Sequence, residues 1–481
     1  MNSTKKLPNP FISLIPLLTL VAMVAISIIL FGSDSLGGAN QISLLMATAV
    51  CSCIAMGVYR MKWKDIEDCI MRTIGGSAVS IVILLLIGMM SSAWMVSGTV
   101  PTLIYYGIQL MSPTFFLFCT CAICAVVSLM TGSSWTTIAT IGIALLGIGE
   151  ALSVSSAWTA GAIISGAYFG DKISPLSDTT VLASSSARVN IFEHIRYMLY
   201  TTVPTFIIAM TVFLIAGFFM KAEGETNVAA YTEGLSRTYN ISLWTLVVPV
   251  FTAVLILKKV PALVTLFLSG VLAGVMAVIL QPGIILGIAG EAGSPTLLSY
   301  IKGTMITFFT STNVETGNAA LNDLVETSGM RGMLDTVWLI LCAMCFGGAM
   351  TATGMLQSIT QSVVRFVKGR TSLVGCTSLT GISLNLMTSD QYMSIVLTAD
   401  MYREVYENMG YERRLLSRTT EDSTTVTSVL IPWNTCGMTQ STVLGVATLE
   451  YLPYCVFNYL SPVVTVVVAR LVTNLKLRNE N

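Results

Sequence analysis

The sequence predicts an all-α integral membrane protein built from two inverted-topology repeats with re-entrant hairpins and broken helices. Hydrophobic residues make up 54% of the 481 residues and charged residues only 10%, whereas an ordinary soluble domain carries about 25% charged residues. Apolar runs of spanning length recur along the chain, and polar motifs interrupt them at a fixed offset. These three observations together indicate a polytopic transporter rather than a soluble protein or a β-barrel.

The apolar runs set the number of passes. A spanning helix needs about 20 apolar residues to cross about 30 Å of hydrocarbon. The first run follows Lys5 and Lys6 but is too long for the apolar region of a signal peptide, so we interpret it as a retained anchor. With several interrupted runs, about ten to thirteen passes are expected. The uninterrupted runs are 11–31, 41–59, 76–96, 114–130, 197–219, 242–257, 262–281, 333–356 and 442–469.

Composition also limits the partners. The formal net charge is zero, which removes any argument for a nucleic acid partner and leaves the lipid bilayer, small ions and a homodimer. Of the eleven cysteines, the CxxC pairs lie in apolar helices without acidic or histidine neighbours, which favours small core residues over metal ligands. No cofactor is therefore expected. The single histidine, His194, lies in a charged stretch that favours a solvated side chain over a proton relay.

A shift of 257 residues relates two parts of the chain. It carries "MTGSSWTTI" (130–138) onto "MTSDQYMSI" (387–395), and "KISPLSDTT" (172–180) onto "VLIPWNTCG" (429–437). The second pair aligns a proline with a proline and a serine with an asparagine. A single offset across these motifs predicts an internal repeat.

Loop charges predict that the two repeats are inverted. Residues 402–418 contain four arginines, whereas their equivalents at 145–161 contain no lysine or arginine. Cytoplasmic loops are enriched in basic residues, so equivalent loops with opposite charge indicate opposite orientations. We expect the inner membrane of a bacterium and both termini in the cytoplasm. The predicted units are a cytoplasmic N-terminus (1–10), repeat 1 (11–219), an extracellular linker with a connecting helix (220–267), repeat 2 (268–475) and a cytoplasmic tail (476–481).

The motif "GDKISPLSDTT" is unusually polar for a membrane chain. Pro175 and Pro432 break the helical ladder and release carbonyl oxygens, and hydroxyls and a carboxylate follow Pro175. Such hard oxygens suit a small hard cation. We expect Na⁺ to be held by Ser177, Asp178, Thr179 and Asn434, with Ser174, Thr180, Asp171 and Thr435 beside them. The alternatives are plain helix kinks, and local neutralisation of Asp171 by Lys172.

Carboxylates that the repeat does not duplicate are candidates for the proton carrier. Glu421 and Asp422 lie opposite Ile164 and Ser165 at the 257-residue offset. An antiporter needs a group that holds either a proton or the competing cation, and a buried acid can serve. We place Asp422 first, with Glu421, Asp390 and Asp171 as further candidates. Helix capping at the cytoplasmic boundary is the alternative for the 421–422 pair.

Several stretches carry a family resemblance. "GDKISPLSDTT", "MTGSSWTT", "TSDQYM", "SRTTEDSTTVTSVLIPWNTCG" and "SGMRGMLDTVWLILCAMCFGG" resemble the NhaC family of bacterial sodium/proton antiporters, which includes malate/lactate exchangers. The resemblance covers nearly the whole chain. It implies two inverted repeats, each with a re-entrant hairpin and a broken helix, and it makes Ser133, Ser134, Ser389 and Asp390 hairpin-tip residues, with Thr388 beside them.

The sequence therefore predicts a secondary antiporter that exchanges Na⁺ for H⁺ by alternating access. The alternative is a Na⁺/H⁺-coupled exchanger of small organic acids, because cation and organic-acid exchangers share these motifs. An enzyme is not expected: "AYFGD" (167–171) lacks the first glycine of an intramembrane aspartyl protease signature. A channel is disfavoured because open pores do not need inverted repeats around a buried central site.

Overall fold

The protein is almost entirely helical. A computed structural model describes residues 7–31, 38–219, 225–258, 260–290, 296–317, 321–322 and 325–471. Within these ranges the only extended pairing is an isolated bridge between Thr312 and Thr327. The predicted all-α class is confirmed, and the predicted tail at 476–481 lies outside the described residues.

The helices are numbered in chain order. The first half contains α1 (Pro10–Phe31), α2 (Ala39–Gly57), α3 (Trp63–Gly76), α4 (Ala78–Val96), α5 (Thr99–Leu110), α6 (Pro113–Thr131), α7 (Ser134–Ala151), α8 (Ser156–Ile173), α9 (Asp178–Ser186) and α10 (Ile191–Phe219). The middle of the chain contains α11 (Glu225–Thr238), α12 (Leu243–Leu257), α13 (Ala262–Leu280), α14 (Pro282–Ala289) and α15 (Leu297–Phe309). The second half contains α16 (Arg331–Ala352), α17 (Met355–Val364), α18 (Arg370–Thr388), α19 (Gln391–Asn408), α20 (Arg413–Thr420), α21 (Thr435–Leu444), α22 (Thr448–Tyr454) and α23 (Val456–Leu471).

Eight of the described helices are long and apolar enough to cross a membrane, or up to ten if each bent pair forms one span. The bent pairs are the end of α11 with α12, at 88°, and α22 with α23, at 56°. This count reaches only the lower end of the predicted range. The reason is that α8 and α18 have spanning length but carry many small and polar residues.

The helix boundaries reproduce the 257-residue offset predicted from the motifs. Helices α6 and α18 begin and end at equivalent positions, and so do α7 and α19. One two-residue turn joins α6 to α7, and another joins α18 to α19. The first residue of each turn, Gly132 or Ser389, adopts the left-handed conformation. The residue that follows, Ser133 or Asp390, caps the next helix with its side chain. The turn chemistry is therefore repeated even where the residue types differ.

Close packing of α6 on α8 fixes the first half of the site. Gly166 and Gly170 are four residues apart on α8 and face α6, where an added Cβ would lie 2.2 Å from the carbonyl oxygens of Cys121 and Ala125 respectively. Small residues at this spacing let two helix backbones approach closely. Asp171 directly follows Gly170, so this contact also determines where the carboxylate lies.

Candidate ion-binding site

The first broken helix runs from the end of α8 through Pro175 to α9. The carbonyl oxygens of Asp171 and Lys172 accept hydrogen bonds from Thr180 Oγ1, at 3.4 and 3.0 Å. Ser177 caps α9 by accepting from Thr180 N at 3.3 Å, and its hydroxyl lies 3.0 Å from that of Thr179. The released carbonyls that we expected as cation ligands are thus satisfied within the break, which leaves side-chain oxygens as the candidates.

Asp171 joins the broken helix to the turn between α6 and α7. Its Oδ2 accepts from the backbone nitrogen of Ser134 at 3.1 Å and from the Ser134 hydroxyl at 2.7 Å. Ser133 accepts from Thr136 N at 3.2 Å as the helix cap. Ser174 donates to the carbonyl of Leu129 at 2.9 Å. The predicted residues 133, 134, 171 and 174 therefore all lie where the first broken helix meets the end of α6 and the turn that follows it.

A cavity of about 490 Å³ opens at this junction and extends to the second half of the chain. Asp178 is exposed, whereas Asp171 is 6% and Thr179 4% exposed. The cavity lies between the first turn and the start of α19, since residues from both line it. Its polar and aromatic lining comprises Ser80, Thr131, Ser133, Trp135, Thr136, Asp171, Asp178, Thr179, Thr265, Gln391 and Tyr392.

The predicted residues of the second half lie mainly at helix caps. Asp390 accepts from Met393 N at 2.8 Å, and Asn434 accepts from Cys436 N at 3.1 Å. Asn434 also donates to the carbonyl of Asn385 at 3.1 Å, and the Ser389 carbonyl accepts from Thr435 N at 2.9 Å. The Thr388 hydroxyl lies 2.8 Å from that of Ser394. The described lining of the cavity includes none of these predicted residues and instead includes Gln391 and Tyr392.

A buried ion pair connects the two halves. Lys172 donates to Asp422 and, at 3.1 Å, to the hydroxyl of Ser461. The other oxygen of Asp422 lies 3.8 Å from Nε of Arg418, and all three charged side chains are fully buried. Lys172 is therefore not the neutralising partner of Asp171, so that alternative is wrong. Asp171 binds Ser134, whereas Lys172 binds Asp422.

Glu421 lies immediately behind the cavity wall. It is fully buried, and its Oε1 accepts from the Thr179 hydroxyl at 3.3 Å. Among the described residues, no hydrogen-bond partner reaches its Oε2. Because Thr179 itself lines the cavity, one hydroxyl separates this acid from the open space. The full burial of both Glu421 and Asp422 overturns the alternative that they cap a helix at the membrane boundary.

The helix that contains these two acids is distorted. Glu421–Thr425 is a π-helix, a form that frequently occurs at functional sites. Side chains from neighbouring helices satisfy the carbonyls of this region. The carbonyls of Thr424, Thr425 and Val426 accept from Asn385 at 2.6 Å, Gln391 at 2.9 Å and Asn458 at 2.9 Å.

Two results could not be obtained from the sequence motifs. His194 is fully buried near the start of α10, where its Nδ1 lies 2.8 Å from the hydroxyl of Ser417, so the predicted solvated side chain is wrong. Arg418 stacks over Tyr197, with 4.8 Å from the guanidinium carbon to the ring centroid. The sequence contains one signal that could have identified Arg418: its equivalent at the 257-residue offset is Gly161, so the first half has no matching charge.

A broken helix in each half, with a cavity that opens at the first of them, within an apolar helical bundle, places the protein in the class of secondary transporters. The family model described as the Na⁺/H⁺ antiporter family matches residues 3–190 and 166–471. The chain belongs to this family.

Three relatives of the chain differ in the solutes that their names give. The chain is 35% identical to the Na⁺/H⁺ antiporter NhaC of Alkalihalophilus pseudofirmus, over 87% of this chain and 88% of the relative. It is 32% identical to the malate-2H⁺/Na⁺-lactate antiporter of Bacillus subtilis, over 83% and 82%. It is 33% identical to the arginine/ornithine antiporter ArcD of Halobacterium salinarum, over 96% and 92%.

Proposed function

We propose that the protein exchanges Na⁺ for H⁺ across a bacterial cytoplasmic membrane by alternating access. The observation that carries the proposal is the cavity, where Asp171 and Asp178 lie beside the turn of the first half and the start of α19 within a largely apolar bundle. Intramembrane carboxylates are costly and line ion pathways. The names of relatives that exchange Na⁺ and H⁺ support the same pair of ions.

The cation is held mainly by the first half. Asp178 supplies an exposed carboxylate to the cavity, and Thr179 supplies a hydroxyl, both of which are hard oxygen ligands. Ser177 supports Thr179 through their 3.0 Å contact. Asn434 is the offset equivalent of Ser177 and joins the set only if the second half approaches the cavity during transport.

The proton is carried by Glu421 in preference to Asp422. Asp422 lies between Lys172 and Arg418, so its negative charge is balanced whether or not Na⁺ is bound. Among the described residues Glu421 has no ion-pair partner, and it contacts Thr179 at the cavity wall. A cation near Thr179 favours the ionised form of Glu421 and so opposes its protonation, which makes the cation and the proton alternatives. Asp171 already accepts two hydrogen bonds from Ser134, and Asp390 caps α19, so both rank lower.

The function is tested with purified protein in proteoliposomes, where an imposed Na⁺ gradient should drive H⁺ movement in the opposite direction. Asp178→Asn removes one charge at nearly constant volume, and we expect it to abolish Na⁺-dependent H⁺ movement. Asp65→Asn, at an exposed position on α3, is the matched control and should retain exchange. Wild-type Na⁺ dependence in Asp178→Asn would exclude this acid from the site.

The membrane orientation follows from the loop charges. We propose that the repeats at 11–219 and 268–475 are inverted, with both termini and residues 402–418 in the cytoplasm, and with the acidic linker at 221–240 outside. Glu407→Cys, placed on a background without native cysteines, should react with a membrane-impermeant thiol reagent only after the cells are opened. Labelling in intact cells would overturn the orientation.

Exchange of a small organic solute is the second candidate. A cavity of about 490 Å³ is far larger than one dehydrated ion requires. Relatives are named for malate and lactate exchange and for arginine and ornithine exchange. The organic solutes in these two names differ in charge. The charges of the residues that line the cavity therefore indicate which class of solute it suits.

A further inference from the structure

The cavity has two walls of different chemistry. One wall carries the carboxylates of Asp171 and Asp178 beside the hydroxyls of the first turn. The other is mainly apolar, with the hydroxyls of Ser80 and Thr265, and comes from the end of α12, the start of α13 and α4. It contains Ile83, Ile256, Val260, Pro261 and Leu263. Such a space suits an elongated amphipathic solute, with its charged group at the acids and its carbon chain on the apolar wall.

Two aromatic side chains also line the cavity. Trp135 follows the first turn and Tyr392 follows the second, and both line the cavity. The faces of tryptophan and tyrosine rings attract ammonium and guanidinium groups through their negative quadrupole. The pair therefore favours a cation independently of the two carboxylates.

The charge balance disfavours an organic anion. Among the residues that the structure describes, no lysine, arginine or histidine lines the cavity. The adjacent cation, Lys172, instead binds Asp422 and Ser461. A carboxylate solute would meet the acids Asp171 and Asp178, and their repulsion disfavours it.

We propose that this cavity also binds and exchanges small organic cations, of the protonated amine or guanidinium class, in competition with Na⁺. The inference rests on the proposed antiport function. The charged group binds Asp178 and Asp171 through charge-assisted hydrogen bonds, Trp135 and Tyr392 flank it, and the carbon chain packs on Leu263 and Ile256. Organic acids of the malate type are excluded.

The test compares solutes of similar size and different charge in proteoliposomes that contain the full-length protein. Arginine should inhibit Na⁺-driven H⁺ movement competitively. Liposomes loaded with Na⁺ should also take up arginine in exchange for the internal Na⁺. Citrulline, which lacks the guanidinium charge, should inhibit at least about tenfold more weakly, and malate should have no effect. Equal inhibition by arginine and citrulline, or inhibition by malate, would overturn the inference.

A variant series identifies the site. Trp135→Leu should weaken inhibition by arginine about tenfold while the KM for Na⁺ changes less, and Trp135→Phe, which keeps an aromatic face, should restore most of it. Trp338→Leu, at a residue that is 43% exposed and outside the lining of the cavity, is the control. An unchanged response to arginine in Trp135→Leu would contradict the proposed position.

The same liposomes separate this inference from the antiport function. If Na⁺ drives H⁺ movement but arginine neither competes nor enters, the organic-cation inference fails and the antiport function stands. If Na⁺ drives no H⁺ movement in wild-type protein, the antiport function itself fails, whatever arginine does.

Discussion

Helix α8 and its offset equivalent at 413–430 occupy corresponding places in the two halves, yet they are built differently. Helix α8 is one continuous helix of 18 residues. Its equivalent changes from α20 to a π-helix and then to a 3-10 turn. Where α8 has Gly161, Ile164 and Ser165, the second half has the fully buried Arg418 and the two acids that follow it.

The two helices are also held by different forces. Helix α8 packs through Gly166 and Gly170 directly against the backbone of α6. The equivalent helix is held by the side-chain amides of Asn385, Gln391 and Asn458, which donate to its backbone carbonyls. The glycine contacts fix the distance between the backbones of α6 and α8. The hydrogen bonds to the distorted helix do not require such close backbone packing, which leaves space for buried charged side chains. The first half therefore positions the cavity acids, and the second half contains Glu421, the acid that we propose as the proton carrier.

The ion pair between the halves should show the largest effect on stability. Lys172→Met leaves Asp422 buried without its hydrogen-bonded cation, and breaking such a pair costs about 3–5 kcal/mol. We expect a large fall in the thermal unfolding temperature of the purified protein. The exposed Lys62→Met is the control. Adding Asp422→Asn to Lys172→Met should recover part of the loss, and a single variant as stable as wild type would contradict the role of the pair.

Glycine packing in the first half should have a smaller effect. In Gly170→Ala the new Cβ would lie 2.2 Å from the Ala125 carbonyl oxygen, which forces α6 and α8 apart at a cost of about 1–3 kcal/mol. Gly375→Ala, on α18, meets nothing within 4 Å and should leave the unfolding temperature unchanged. Equal losses in the two variants would show that close approach of α6 and α8 is not required.

Local chemistry explains how much the sequence could predict. The ends of α6 and α18 follow from glycine or serine at the turn and a capping side chain after it, which are visible in the motifs. The partner of Lys172 is 250 residues away, and no motif contains that information. The apolar cavity wall around Pro261 was likewise hidden, because it lies in a connecting segment outside both polar motifs. The site assignments of Asp178, Asn434 and the hairpin tips remain predictions.

The most direct test of the division between the halves is proton release when Na⁺ binds to the purified protein in weakly buffered solution. The account predicts that wild-type protein releases protons, and that Glu421→Gln still binds Na⁺ but releases none, so that its Na⁺ affinity loses its pH dependence. Glu450→Gln, at an exposed acid, should behave as wild type. Proton release from Glu421→Gln equal to that of wild type would contradict the account.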